Sequence, residues 1–508
     1  MKMYKQTWLL VAAILTLVSC SSENGEIVAD NETNKLMTFT ATQEGDAVNT
    51  KTALSSDGKT IHWEEGDKIS IFDGKGNQAF ALKTGAGTNS ATFEGTASEA
   101  KTYTAIYPYQ QNATLSLSDG NVTNVTNVTL PATQKAIEGG FDPTAALMMA
   151  QSTNTSLQFK NVVGYVKVKP NFACSKIVLR SGSASEYLAG TGTLTYNSGD
   201  PTFNFSESNS KSHSITLEGN IESEKTYYIA VPTTQLTAGW TISFTTSDRS
   251  NVYTRQSEKD ITFTRNKVIY LGEFNTNGDY WCDKERGIVE ENQEVCMGNF
   301  TIEKKTYKVY FAKSNLTATG LAAKETDFGD YFAWASTEPW LTSYTLSGSE
   351  ITFKTWKEGK SGGYTESNAP YRDGSSYSKY NSTKELELSD DAARQILGGK
   401  WQVPHPNVWS TMCDSNSNFT WSWDSQKKGY TITNKTDNTK SIFLPAAGYI
   451  DGNDQSPSIN VGGSYWSNYP TPDTQALYLF FNNTNHKADD SDRCYGLPIR
   501  PVRLVKVE

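Results

Sequence analysis

The sequence predicts a mainly β protein, with mixed α and β structure confined to its last part. Three observations carry this reading. Short apolar runs alternate with Thr, Ser and Asn from Leu36 to about Asn275, the period of half-buried strands. The 38 glycines and 26 tyrosines supply tight turns and strand formers. The best helix pattern, Ser389 to Leu397, comes late in the chain. At 508 residues, 37% of them hydrophobic, the chain has material for about three domains with substantial cores.

The first element is a leader. Two lysines lie within Met1 to Lys5, and Trp8 to Val18 is an apolar run too short for a permanent membrane span. Leu17-Val18-Ser19-Cys20 closes it with a small residue before a cysteine. That spacing is similar to a lipoprotein cleavage box, with residues 1–19 as signal peptide and Cys20 as the acylated mature N-terminus. The alternative is an ordinary secretory leader with an incidental cysteine. Residues 20–35 are polar and form a flexible tether. No second long apolar run occurs, so nothing after Cys20 is expected to span a membrane. A net charge of −9 without a basic cluster argues against nucleic acid as a partner. The four histidines, His62, His213, His405 and His486, are scattered. They supply a histidine-based metal or acid–base site poorly, and no metal or cofactor is expected.

A first β unit is expected over 36–152. Met37, Phe39 and Ala41 alternate with threonines, and Gly66-Asp67 marks a turn after Trp63. Further strands are expected at Ala91 to Phe93, Tyr103 to Tyr107 and Val122 to Leu130, with a brief helical stretch near Thr144 to Ala150. Asn-Val-Thr recurs three times between Asn121 and Thr129. A period of three suits neither strand nor helix, which suggests an irregular edge segment. A second β unit is expected over 153–275, with short strands at Val162 to Val168, Ile177 to Leu179, Tyr227 to Val231, Trp240 to Phe244 and Val268 to Leu271. Both units read as sandwiches.

The residues Trp63-Glu64-Glu65-Gly66-Asp67-Lys68-Ile69, Phe93-Glu94-Gly95, Tyr103-Thr104-Ala105-Ile106-Tyr107-Pro108, Leu130-Pro131-Ala132-Thr133-Gln134 and Phe159-Lys160-Asn161 resemble, in order, the fimbrillin-like family of Bacteroidales surface proteins. The resemblance implies two transthyretin-like sandwiches, lipoprotein export, and assembly into fimbriae by strand exchange after a protease trims the N-terminus. Lys35 and Lys51 flank the first strand and are the candidate trimming points, where the family often has arginine.

Composition changes after about Asn275, and 276–508 is rich in tryptophan. Ser389 can cap the helix that follows, Asp390 and Asp391 suit its positive end, and Gly398-Gly399 stops it. A second helix is expected from Pro406 to Met412. This part resembles the "major paralogous domain" family named from Fibrobacter. The matching blocks are Phe328-Gly329-Asp330-Tyr331-Phe332-Ala333-Trp334, Asp390-Asp391-Ala392-Ala393, Gly398-Gly399-Lys400-Trp401-Gln402-Val403-Pro404, Ile442-Phe443-Leu444-Pro445-Ala446-Ala447-Gly448-Tyr449, Tyr465-Trp466-Ser467, and Gly496 to Arg503. The resemblance implies an α+β, C-type-lectin-like domain. The family usually caps the second helix with threonine and a glutamate three residues on. Here His405 and Val408 stand there, so the cap is lost or replaced by the imidazole.

The site candidates follow. Tyr364, Tyr371, Tyr377 and Tyr380, with Arg372, lie in a Gly/Ser-rich insertion between Gly362 and Ser382. Tyrosine in polar loops is a recognition composition, so these are the ligand-binding candidates. The competing reading is a long loop that packs its tyrosines on the domain. Trp421-Ser422-Trp423 puts both rings on one side of a strand, where packing is favoured. Asp451-Gly452-Asn453-Asp454 is an oxygen-rich turn, read as solvated rather than as a calcium site. Cys174 reads as a buried thiol. Cys282, Cys296, Cys413 and Cys494 allow three pairings. Cys282 with Cys296 closes a hairpin-sized loop and leaves Cys413 with Cys494; the alternative is that all stay free. No serine triad, paired-carboxylate signature, activated cysteine or phosphate loop is present, so the chain is not expected to be an enzyme.

The function expected is that of a fimbrium tip subunit: a surface-exposed outer-membrane lipoprotein, later part of the fimbrium, adhering through its last domain. Its partners would be other fimbrial subunits by strand donation, and a glycan or protein on a host or bacterial surface. The final strand runs out five residues after Arg503, which leaves no spare donor and favours the tip. The alternative is a non-polymerising outer-membrane lipoprotein that binds glycans.

Overall fold

The structure is a computed structural model. It describes residues 34–44, 53–54, 61–118, 122–196, 199–206, 211–339, 344–347, 350–353, 369–373, 376–382, 384–450, 458–472 and 474–507. Cys20, Lys51, Tyr364 and the Asp451 to Asp454 turn lie outside the described residues. The architecture is mainly β, as expected.

Seven strands of the first unit close on themselves. Lys35–Gln43 lies between Ser156–Asn161 and Ser90–Ala97, and the ring continues through Asn77–Thr84, Lys68–Phe72, Tyr103–Tyr107 and Met148–Ser152. Closure leaves no free edge in the ring. Its interior is aromatic: Trp63 meets Phe93, Tyr107 and Phe159 edge to face at 5.0, 5.3 and 5.6 Å, the geometry that ring quadrupoles favour. Gly66 turns the chain at φ 91°, and Asp67 then accepts from the Tyr107 hydroxyl at 2.9 Å. The expected helix near Thr144 is instead a short 3₁₀ turn, Pro143–Ala145, followed by the strand Met148–Ser152. Both ends of that strand's pairing lie in the barrel, so sheet formation overrides the weak local period.

The expected division at 152/153 cuts a hairpin whose two strands both belong to the barrel, because Ser156–Asn161 pairs with Met148–Ser152 and with the first strand. Sheets also cross in the other direction. Thr133–Lys135 pairs in parallel with Ser214–Ile221. Val122–Leu130 is not an irregular edge. It is a nine-residue strand held between Thr114–Ser118 and Ala189–Tyr196. A bulge accommodates the period of three: the register shifts opposite Gly192 to Leu194, and Asn127 adopts φ 59°. Thr123 and Val125 before the bulge, and Val128 and Leu130 after it, therefore all face inward.

The second unit is a sandwich. One sheet runs Thr133–Lys135, Ser214–Ile221, Cys174–Arg180, Thr241–Thr246 and Val252–Gln256; the other runs Tyr227–Val231, Gly164–Pro170 and Val268–Phe274. They share a core that includes Val166, Ile177, Leu217, Ile229 and Phe244. Tyr280 and Trp281 also pack against this core, so apolar burial by the second unit continues past 275.

The last unit has a four-stranded sheet, Glu294–Ile302, Lys305–Ala312, Val502–Lys506 and Trp401–Gln402, and two three-stranded sheets, over 419–445 and 462–492. Helix α1, Ala392–Leu397, is capped by Asp391, whose carboxylate accepts from Arg394 N at 3.0 Å. Ser389 is not the cap, since the helix starts two residues later than a Ser389 cap would place it. Helix α2, Pro406–Cys413, presents Val408, Trp409 and Met412 to the core. Trp421 and Trp423 both pack on Tyr430, at 5.3 and 5.2 Å, as the alternation suggests.

Candidate functional site

Two regions concentrate polar side chains: the loop that precedes α1 and the joint between the second and last units. The loop is built on Asp390, which is buried. The Tyr371 hydroxyl donates to Oδ1 at 2.7 Å, and the Tyr380 hydroxyl to Oδ2 at 2.6 Å. Lys379 Nζ joins Oδ2 at 2.5 Å and reaches Glu387 at 2.8 Å. Burial first, and then the Asp390 charge, push both tyrosine hydroxyls far above their usual range. Lys379, with Lys384 and Arg249, holds Glu387 down at about 2. Both tyrosines sit at positive φ, 63° and 61°, a strained conformation that persists when side-chain anchors over-determine it.

These contacts decide what the sequence candidates can offer. Tyr377 and Tyr380 are 7% and 5% exposed, so neither presents a ring face for stacking; they pack inward, as the competing reading held. The Arg493 guanidinium lies 4.4 Å from the Tyr377 ring centre, and Trp334 meets Tyr380 edge-on at 5.1 Å. Tyr371, 37% exposed, and half-buried Arg372 remain at the surface. Lys35 opens the first strand and pairs with Glu99.

The expected disulfides are absent: none of Cys174, Cys282, Cys296, Cys413 and Cys494 is joined to another cysteine. Cys413 packs beside the cluster of Met297 and Trp409, whereas Cys494 lies in a separate cluster with Phe328 and Tyr331. Cys282 is tied to the second unit through Thr254 O at 2.8 Å, while Cys296 lies in a strand opposite Tyr310. Burial pushes the Cys174 and Cys413 thiols up to about 12, which suppresses thiolate chemistry.

His405 replaces the missing threonine cap: its Nδ1 accepts from Asn407 N at 3.1 Å. Glu303, Glu385 and His405 also bring ligand atoms within 4.8 Å of one another. Because Nδ1 accepts, the ring proton sits on Nε2, 3.5 Å from Glu385. A metal at Nε2 would require that tautomer, and with it the helix cap, to be given up.

The joint between units was not legible in the sequence. Arg180 donates to Ala318 O at 2.8 Å and to Glu338 at 2.5 Å, and Ser214 Oγ donates to Glu338 at 2.7 Å. Arg249 pairs with Glu387 at 2.6 Å, and Lys176 donates to Ser389 O at 3.1 Å. Gly398 packs so closely that a Cβ there would meet Thr254 Oγ1 at 2.6 Å. Beside these contacts a cleft of about 310 Å³ opens between Ala184 and His213 of the second unit and residues 317–330 of the last. Ala318 lines it, and the Ala318 N–H donates to Asp330 at 2.6 Å. Gly329, at φ 70°, lets that turn approach Leu316 O, which a Cβ would meet at 2.5 Å. Burial raises the Asp330 carboxyl to about 7 and lowers the His213 imidazole. Nothing in the sequence pairs His213 with Asp330, because they line one cleft across more than a hundred residues of chain.

No family model matches the chain, and no curated protein matches it. Among solved structures it is similar to a candidate cell adhesion protein from Bacteroides uniformis, at 18% identity over 43% of this chain and 90% of that one, with a TM-score of 0.28. A fimbrial protein from Bacteroides ovatus matches at 12% identity over 91% and 98%, with a TM-score of 0.22. The tip fimbrial protein Mfa3 from Porphyromonas gingivalis, with C-terminal truncation, matches at 11% over 48% and 96%, with a TM-score of 0.23. Superposition at these scores is too loose to transfer function.

Proposed function

We propose that this chain is an exported surface lipoprotein that adheres through its last unit and accepts a strand from a fimbrial partner. The place of the first strand carries this reading. Lys35–Gln43 follows directly on the polar tether, yet it is an integral stave of the barrel, antiparallel to Ser90–Ala97 and parallel to Ser156–Asn161. Phe39 and Ala41 are fully buried. Its removal would leave two unpaired edges about one strand apart, roughly 10 Å, with the pockets of both side chains vacant. Such a gap accepts a donated strand.

The two trimming candidates then differ in outcome. Cleavage after Lys35 leaves the stave in place; cleavage after Lys51 removes it whole, so strand exchange depends on the later point. Val502–Lys506 is hydrogen-bonded on both sides, to Lys305–Ala312 and to Trp401–Gln402, so this strand is committed at home and favours an accepting over a donating role. Acylation at Cys20, outer-membrane anchoring and a tip position complete the proposal, and its partners are fimbrial subunits and a surface glycan or protein. The raised Cys174 and Cys413 thiols are poor nucleophiles, which favours binding over thiol catalysis.

N-terminal mass spectrometry of the surface form and immunogold labelling of shed fibres test the proposal together. The expected result is a chain beginning after Lys51, with gold at fibre ends. Label spread along shafts overturns the tip position. An acylated chain beginning at Cys20 and never found in fibres favours the non-polymerising glycan-binding lipoprotein.

A further inference from the structure

Three segments of the last unit converge beside the start of α2. Glu303 lies in the two-residue turn between Glu294–Ile302 and Lys305–Ala312. Glu385 precedes α1, and His405 caps α2. One ligand atom from each lies within 4.8 Å of the other two. His405 is 4% exposed, and its Nε2 has no hydrogen-bond partner. Nε2 lies 3.5 Å from Glu385 Oε1, so the unpartnered nitrogen faces the carboxylates. The Glu303 charge acts on both the imidazole and Glu385. Among the described residues no lysine or arginine pairs with either carboxylate. Two acids and a buried ring nitrogen therefore meet without a basic side chain to balance them.

The spacing suits a bare ion. Two ligands, each about 2.1 Å from a tetrahedral zinc, stand about 3.4 Å apart. The 3.5 Å between Nε2 and Glu385 Oε1 matches that edge. A water molecule cannot enter between atoms so close, but a dehydrated ion can. Both carboxylates are exposed, so the ion arrives through them from solvent. The donor set narrows its identity. Calcium and magnesium take oxygen ligands, which the imidazole does not supply. One ring nitrogen with two carboxylates suits zinc, and three protein ligands leave a fourth position to water.

We propose that Glu303, Glu385 and His405 form a zinc site that ties the 302–305 turn and the segment before α1 to the start of α2. Coordination at Nε2 moves the ring proton to Nδ1 and releases the Asn407 N–H that Nδ1 otherwise accepts. Zinc thus takes over from the helix cap as the fastening of this corner. The lost cap lowers the affinity by about fivefold, which three ligands outweigh. The inference is independent of strand exchange.

The test uses the full exported chain, untagged and stripped of metal with a chelator. Zinc is titrated against a chromophoric chelator at about pH 7.5, where an ordinary imidazole is neutral. One zinc per chain should bind with a micromolar Kd and raise the Tm, whereas calcium and magnesium should do neither. Isotope labelling of the histidine nitrogens should show one ring pass from Nε2–H to Nδ1–H as zinc is added, a change that a merely structural histidine would not make. His405→Thr keeps a capping oxygen but removes the nitrogen. Glu303→Gln, on an exposed turn, leaves the fold intact should His405→Thr not do so. These two variants and Glu385→Gln should each weaken zinc binding at least ~10-fold, while His62→Asn and His486→Asn should leave it unchanged. No zinc bound, calcium bound as tightly, wild-type affinity in any of the three ligand variants, or an affinity that depends on His62 or His486 would each overturn the proposal.

Discussion

Arg265 of the second unit grips Glu44, the residue after the first strand, with its two terminal nitrogens 2.6 and 3.0 Å from the two carboxylate oxygens. Glu44 also accepts from Asn161 N at 2.6 Å, so one carboxylate fastens the end of the first strand to its parallel neighbour and to the next unit. Arg265→Ala should loosen that strand by about 1–3 kcal/mol. Arg265→Lys should restore only part of it, because an ammonium cannot reproduce the fork. Hydrogen exchange of the 35–43 amides reads the effect; unchanged protection in Arg265→Ala would show that the grip is idle.

Tyr380 and Tyr371 share one carboxylate but not one environment. Tyr380→Phe leaves an Asp390 oxygen short of a donor in a buried site and should destabilise by about 1–3 kcal/mol. Tyr371, at 37% exposure, lets water replace the lost hydroxyl, so Tyr371→Phe should cost less than about 1 kcal/mol. Urea unfolding of the two variants checks the order, and equal losses would contradict it.

Protonation of His405 would remove the acceptor that caps α2. Burial holds its pKa below the ordinary 6.5. Below that value the unfolded chain binds the proton that the folded chain refuses, so stability falls as pH falls, by at most roughly 1.4 kcal/mol per unit for this group. His405→Thr keeps a capping oxygen without titrating. Its stability should match wild type near pH 8 and exceed it near pH 5, whereas His405→Ala should lose about 1 kcal/mol at pH 8. Thermal unfolding at the two pH values measures this.

At Asn127 the left-handed backbone, not the side chain, sets the requirement. Asn127→Gly should be tolerated, whereas Asn127→Val should cost about 1–3 kcal/mol, because a branched Cβ resists positive φ. Equal Tm values for the two variants would mean that the bulge had relocated.

Legibility followed distance along the chain. The Gly66 turn and the Trp421/Trp423 face were readable because the deciding interactions lie within a few residues. The cap of α1 was misplaced because Ser389, Asp390 and Asp391 are all competent caps in isolation. Tertiary contacts choose between them: Tyr371, Tyr380 and Lys379 claim Asp390, and Asp391 is left to the helix. Tyrosine content identified the insertion before α1, yet composition could not say that Tyr377 and Tyr380 turn inward around Arg493 and Asp390. Pairing of Val122–Leu130 with Ala189–Tyr196, and the meeting of His213 with the 317–330 segment, are long-range events with no local signature.

The crossed sheets of the first two units bear on any attempt to divide the molecule. A fragment ending at 152 would lack the stave Ser156–Asn161 and would strand Val122–Leu130 without its Ala189–Tyr196 neighbour. Exposed ribbons of that kind invite clumping. The two units therefore constitute a single cooperative block, which a tug between the ends would have to shear open rather than unhook at a hinge.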